Sequence, residues 1–201
     1  MTMFERTPHD ERANELLKIA TEKKKAKDWD GAISALQEAY REIEKSNLGY
    51  SVETFLRLPQ FLHAAGRPKE AWMAFNNMLF KGFPTEVIDD QFLPMSRCLI
   101  FDKMRLFLKR EKKEELSEIF SIFSAMSWRI GLFRQKRLDE LNSQSIDDDV
   151  ADMISCLEKY NSPGLIKQLC DAVVSELRNH PQVDYHKMGR SMESVMASTK
   201  P

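Results

Sequence analysis

The stretch KDWDGAISALQEAY (residues 27–40) sets the reading of the whole chain, because GRPKEAWMAFNNML (residues 66–79) half-repeats it. In the first, Ala32, Leu36 and Ala39 lie four and three residues apart; Ala71, Phe75 and Met78 have the same spacing in the second. That spacing places all three side chains on one face of an α-helix. Asp28 carries the short carboxylate of a helix N-cap, and Asp30 sits where a helix N-terminus favours negative charge. Lys23, Lys24, Lys25 and Lys27 crowd the end of the preceding segment, so TEKKKAKD reads as a helix end and turn.

Working outward, apolar residues recur at helical spacing almost everywhere. Ala13, Leu16, Leu17 and Ala20 mark a helix from Asp10 to about Lys25, and Phe55, Leu58 and Leu62 mark one within 51–65. Gly66 suits a C-cap and Pro68 the first turn of the helix that follows. SNLGY (46–50) and KGFP (81–84) interrupt the pattern. Further helices are expected from about Met95 to Leu108, along Leu116–Phe133, along Val150–Leu157 and along Leu165–Leu177. NSQSIDDD (142–149) reads as a linker. The expected organisation is a loose lead-in over 1–9, helical hairpins over 10–141, a further helical hairpin over 142–180 and a mobile tail over 181–201. In that tail Tyr185, Met188, Met192 and Val195 would make a helix only on contact with a partner.

Composition agrees with an all-α fold. With 201 residues the chain is long enough to bury a core. Its 7 glycines and 8 prolines are few for a protein built of β-turns. The net charge of -1 argues against binding nucleic acid through the whole surface. Cys98, Cys156 and Cys170 are scattered and odd in number, a pattern of reduced thiols rather than of a disulfide framework or zinc site. The polar N-terminus is no signal peptide, and no apolar run approaches the roughly 20 residues of a membrane span. A cytoplasmic location, with no membrane contact, is the expectation.

Two hairpins with matching small–large–small positions resemble the tetratricopeptide repeat. Ala32–Leu36–Ala39 and Ala71–Phe75–Met78 fit the second helix of that repeat, while Leu16, Ile19 and Ala20, then Phe55 and Leu58, fit its first. Pro59 stands where Gly or Ala is usual, and Met78 departs from the usual small residue. The offset of 39 residues between Ala32 and Ala71 exceeds the family's period of about 34, and SNLGY absorbs the difference. Leu116, Phe120 and Phe123 suggest a third copy. The resemblance implies stacked antiparallel hairpins in a superhelix, capped by the C-terminal helices, and a protein or peptide ligand held in a concave groove lined by first helices. At Leu17 and Thr21 stand residues unlike the Lys and Asn clamp of chaperone-tail-binding members, so no such clamp is expected.

Helical periodicity then selects the groove residues. If Phe55, Leu58 and Leu62 are the buried stripe, Glu53, Leu56, Gln60 and His63 face outward, with Arg57 on the flank. Lys24, Lys25, Arg105 and Lys109 are expected on the same side. Leu17, Leu56 and Phe101 would form an apolar row edged by basic groups, suited to an amphipathic or acidic peptide. An exposed apolar end or the Met-rich tail is a route to a homodimer. The alternative reading is nucleic acid: residues 101–137 carry ten Lys/Arg against five acids, with Trp128 and Phe133 nearby, although 138–160 carries a balance of -6. Catalysis is not expected, nor a metal or cofactor. His9, His63, His180 and His186 lack ligand spacing, Asp147–Asp149 lack the pattern of a calcium loop, and there is no Gly-rich phosphate loop.

Overall fold

A computed structural model of the protein describes residues 6–46, 48–81, 93–137, 147–161, 164–179 and 182–198. The described residues form nine α-helices and no strand. They are α1 (Pro8–Lys25), α2 (Trp29–Ile43), α3 (Val52–Ala64), α4 (Pro68–Lys81), α5 (Leu93–Arg110), α6 (Glu114–Arg134), α7 (Asp147–Glu158), α8 (Leu165–Leu177) and α9 (Tyr185–Ser198). Contacts divide the chain into two compact units, 1–88 and 89–201. The hairpins α1–α2 and α3–α4 make the first; α5–α6, α7–α8 and α9 make the second. Most of the expected linker, and the residues of KGFP after Lys81, lie outside the described residues.

One turn recurs three times. Helices α1, α3 and α5 are each separated from the next helix by three residues, with a left-handed residue in the middle: Lys27 (φ 60), Gly66 (φ 75) and Lys112 (φ 57). The hydrogen bonds match position for position. Asp28 N donates to Lys23 O (2.9 Å), Arg67 N to Leu62 O (2.9 Å) and Lys113 N to Leu108 O (2.9 Å), each beside a bond of 3.0–3.1 Å from the left-handed residue to the carbonyl three residues back. This double closure satisfies carbonyls that a helix end leaves orphaned. Only Gly66 occupies its conformation without a Cβ penalty; Lys27 and Lys112 adopt it with a side chain, as Lys136 (φ 59) does after α6. In the quoted stretch, Asp28 caps α2 through Gly31 N (2.9 Å), and a Cβ on Gly31 would fall 2.2 Å from Asp28 Oδ2.

Helix α1 begins two residues earlier than its apolar pattern suggests. Thr7 and Asp10 form a reciprocal cap: Asp10 N donates to Thr7 Oγ1 (3.3 Å), while Thr7 N donates to Asp10 Oδ2 (2.6 Å). Asp10 is fully buried and also accepts from Ser46 Oγ, beyond the end of α2. Burial pushes its carboxyl up, but hydrogen bonds from Ser46, Thr7 and Leu48 outweigh this and hold it below the ordinary carboxylate value.

The two hairpins of the first unit meet through α2 and α3. Ala13, Ile43 and Phe55 form a buried cluster, flanked by Tyr40, Tyr50 and Met78. Pro59 lies inside α3 and is buried. Having no N–H, it leaves the Phe55 carbonyl without its helical donor. The Tyr40 hydroxyl of α2 fills that place, donating to Thr54 O (2.7 Å) and to Phe55 O (3.3 Å), while its ring packs 5.1 Å from that of Phe55. Burial pushes the Tyr40 hydroxyl well above its ordinary pKa, so it stays a donor at any working pH.

In the second unit α6 is the central helix, packed against α5, α7 and α9. Phe101, Phe120 and Phe123 form an aromatic trio with centroids 5.5–5.9 Å apart. Phe101, expected in an outward apolar row, is fully buried. The stretch expected as a mobile tail contains α9, whose Met188, Met192 and Met196 are buried against the unit. All three cysteines are free; Cys170 is buried, and burial first of all pushes its thiol up to about 12.

Two consequences can be measured. Tyr40→Phe should cost about 1–3 kcal/mol in denaturant unfolding, because two helix carbonyls lose a donor in a half-buried place. In a Pro59→Ala background, where the residue-59 N–H is restored, the same change should cost clearly less; equal costs would sink the account. Asp10→Asn should destabilise by about 1–2 kcal/mol at pH 7. Because the folded Asp10 pKa is depressed, its contribution is present above the unfolded value of about 3.9 and is lost as pH falls through the lower folded value. Unfolding midpoints of wild type and variant should therefore converge as pH falls below about 4.

Candidate functional site

The outward side of α3 is displaced from the stripe that periodicity suggested. Glu53, Gln60 and Ala64 are exposed and Arg57 is half-buried between them, so the solvent face follows 53–57–60–64. Leu56 is 1% exposed and does not face outward. The reason is the width of the buried arc: α3 packs on both α2 and α4, which bury Val52, Phe55, Leu56, Pro59 and Leu62 together. Leu58, expected in the core stripe, is only half-buried, as is His63.

Arg57 reaches across to α1. Its Nη2 donates to Leu17 O (3.0 Å) and to Thr21 Oγ1 (2.8 Å), and Thr21 Oγ1 in turn donates to Leu17 O (2.9 Å). The guanidinium carbon lies 5.7 Å from the centre of the Phe61 ring, one turn further along α3. Lys24 Nζ stands 5.4 Å from the same ring centre, and Trp29 meets it edge-on at 6.1 Å. Two cations thus share one buried aromatic ring at the junction of α1, α2 and α3. Burial pushes the Arg57 guanidinium below its ordinary pKa, with the Tyr40 field acting the other way; it remains charged. Among the described residues neither Arg57 nor Lys24 is in an ion pair with a carboxylate. The arrangement offers a carboxylate two cationic donors beside an apolar ring.

Sequence reading missed Phe61 and Thr21 as parts of this cluster. Phe61 had a detectable signal, since it stands four residues after Arg57 on the same helix, the spacing at which side chains meet. Arg105 and Lys109 belong to the second unit. There Arg105 pairs with Asp102 (2.8 Å), which Lys103 also contacts (3.1 Å), and Lys109 is exposed at the end of α5.

The basic segment 101–137 does not form one stripe. Lys109, Arg110, Lys112 and Lys113 are exposed around the α5–α6 turn, and Lys136 and Arg137 are exposed beyond the far end of α6. The 21 residues of α6 separate these groups by about 30 Å. Trp128, 42% exposed, stands on the rim of an open recess of about 390 Å³ with Asp102, Arg105 and the buried Arg129. Phe133 packs against Tyr185 and His186 of α9. Among the described residues, no group of three or more His, Cys, Asp or Glu is placed to hold a metal ion, and no helix is long and apolar enough to cross a membrane.

Searches against family models, curated proteins and solved structures gave no match to the chain in any of the three.

The burial pattern of α3 predicts opposite outcomes at two neighbouring positions. Leu56→Ala should cost about 2–5 kcal/mol in chemical unfolding, as a core cavity does. Gln60→Ala should stay within about 0.5 kcal/mol of wild type. A small effect at Leu56 would return it to the surface and overturn the shifted face.

Proposed function

We propose that the protein is a non-catalytic cytoplasmic adaptor of the helical-repeat kind, similar in plan to tetratricopeptide-repeat proteins, which holds an acidic segment of a partner protein against the α1–α3 face. The observation that carries the proposal is the Arg57–Phe61–Lys24 cluster. Arg57 is fixed by Leu17 O and Thr21 Oγ1, so its position is set before any ligand arrives. A fixed guanidinium loses little conformational freedom when it receives a carboxylate. Phe61, itself buried, lies within cation–π distance of both Arg57 and Lys24, and exposed Gln60 and Glu53 border the face. The repeat reading draws support from the shared turn of the first three hairpins, which repeats both its length and its hydrogen bonds.

The test uses tagged protein in native cell lysate, with and without nuclease, comparing wild type with Lys24→Glu/Gln60→Glu. Both substituted residues are exposed, so the melting temperature should be unchanged. A protein partner that survives nuclease, weakens as salt rises and is lost from the variant is the expected result. Equal retention of every partner by both proteins would overturn the groove. Recovery of nucleic acid by both would transfer the function to the basic 101–137 segment.

A further inference from the structure

Helix α9 is held by side chains that would recognise any helix of its pattern. One carboxylate oxygen, Glu193 Oε1, lies 3.2 Å from Arg97 Nη1 of α5 and 3.2 Å from Arg134 Nη2 of α6. Both arginines are mostly buried, with side chains 15–16% exposed. Around this centre Met188, Met192 and Met196 present one apolar stripe, at most 3% exposed. Gly189 allows the closest approach: a Cβ there would fall 2.9 Å from Arg134 Nη2 and 3.3 Å from Ile130 Cγ2. At the other edge Lys187 reaches the buried Glu176 of α8 at 3.0 Å.

We infer that this seat on α5, α6 and α8 is a binding groove for an amphipathic helix of a partner protein that carries a carboxylate beside its apolar stripe, and that α9 is its intramolecular occupant. The helix it fits has large flexible apolar residues at i, i+4 and i+8, a small residue at i+1 and a carboxylate at i+5. Three features favour exchange. A 14-residue helix is marginal in isolation, so α9 is helical because it is docked, and a released α9 would unwind. Methionine adapts its shape to its neighbours, so a seat matched to three of them accepts related apolar side chains. The charge complement is specific, two arginines of the seat around one acid of the helix. The inference stands apart from the α1–α3 face, which belongs to the first unit.

The probe is a fluorescent peptide of residues 182–198, titrated into the full-length chain. Wild type should bind it weakly, because the tethered α9 competes at high effective concentration. Full-length Glu193→Arg keeps both arginines of the seat but places a third cation against them, and should bind the wild-type peptide at least about tenfold more tightly. A peptide carrying Glu193→Arg should bind neither protein. The idea fails if the variant chain, with wild-type helicity, ignores the peptide, or if the two peptides bind equally. It fails also if the variant assembles into dimers that exclude the peptide, for then a second copy fills the seat. Hydrogen exchange on the wild type does not depend on any variant folding. Amides of α9 should exchange through a local opening, before those of α6; exchange of α9 only with global unfolding would overturn the inference.

Discussion

The first unit depends on one hydroxyl. A proline in the middle of α3 removes the helical N–H that would reach the Phe55 carbonyl, and that carbonyl accepts from Tyr40 of α2. Tyr40 answers from α2, and in doing so ties the first hairpin to the second through two carbonyls of α3. The proline and the tyrosine are therefore one feature. Pro59 looks like a defect in a repeat pattern when read in sequence, yet it makes the α2–α3 contact directional where apolar packing alone would leave it free to slide.

That lock also bears on the candidate face. Tyr40 is half-buried against α3, and Arg57 leaves α3 to reach α1. Helix α3 is thus held by α2 through its backbone and meets α1 through a guanidinium, with α4 packed against it as well. Little of its circumference remains for solvent, which is why the exposed stripe is narrow and why a charged residue, not an apolar one, lies at its centre. A binding face of this kind selects by charge and geometry more than by apolar area.

Much of the architecture was legible in sequence. Apolar residues at helical spacing, Asp28 as a cap and Gly66 as a stop each act locally, and each appears where local physics puts it. The site was less legible. Leu56 went astray because periodicity gives the direction of a side chain but not the width of the arc that neighbours will cover. Phe101 went astray for the same reason, facing Phe120 and Phe123 of α6. The C-terminal helix was undervalued because its three methionines and polar remainder make a weak local signal. What fixes it, Arg97 and Arg134 around Glu193, lies 96 and 59 residues away along the chain.

The three-residue turns carry a kinetic consequence. Partners in α1–α2, α3–α4 and α5–α6 are close along the chain, so each hairpin can close over a short loop at little entropic cost. Chains dominated by such contacts reach their native topology quickly, since the search is divided into small independent ones. The slow steps must then be the few that join distant segments. In the first unit that is the arrival of Arg57 of α3 at Leu17 of α1, 40 residues away, and in the second it is the landing of α9. Between synthesis and that landing, the newly made second unit exposes an apolar strip edged by two arginines, a short interval in which it is most open to aggregation or to a chaperone.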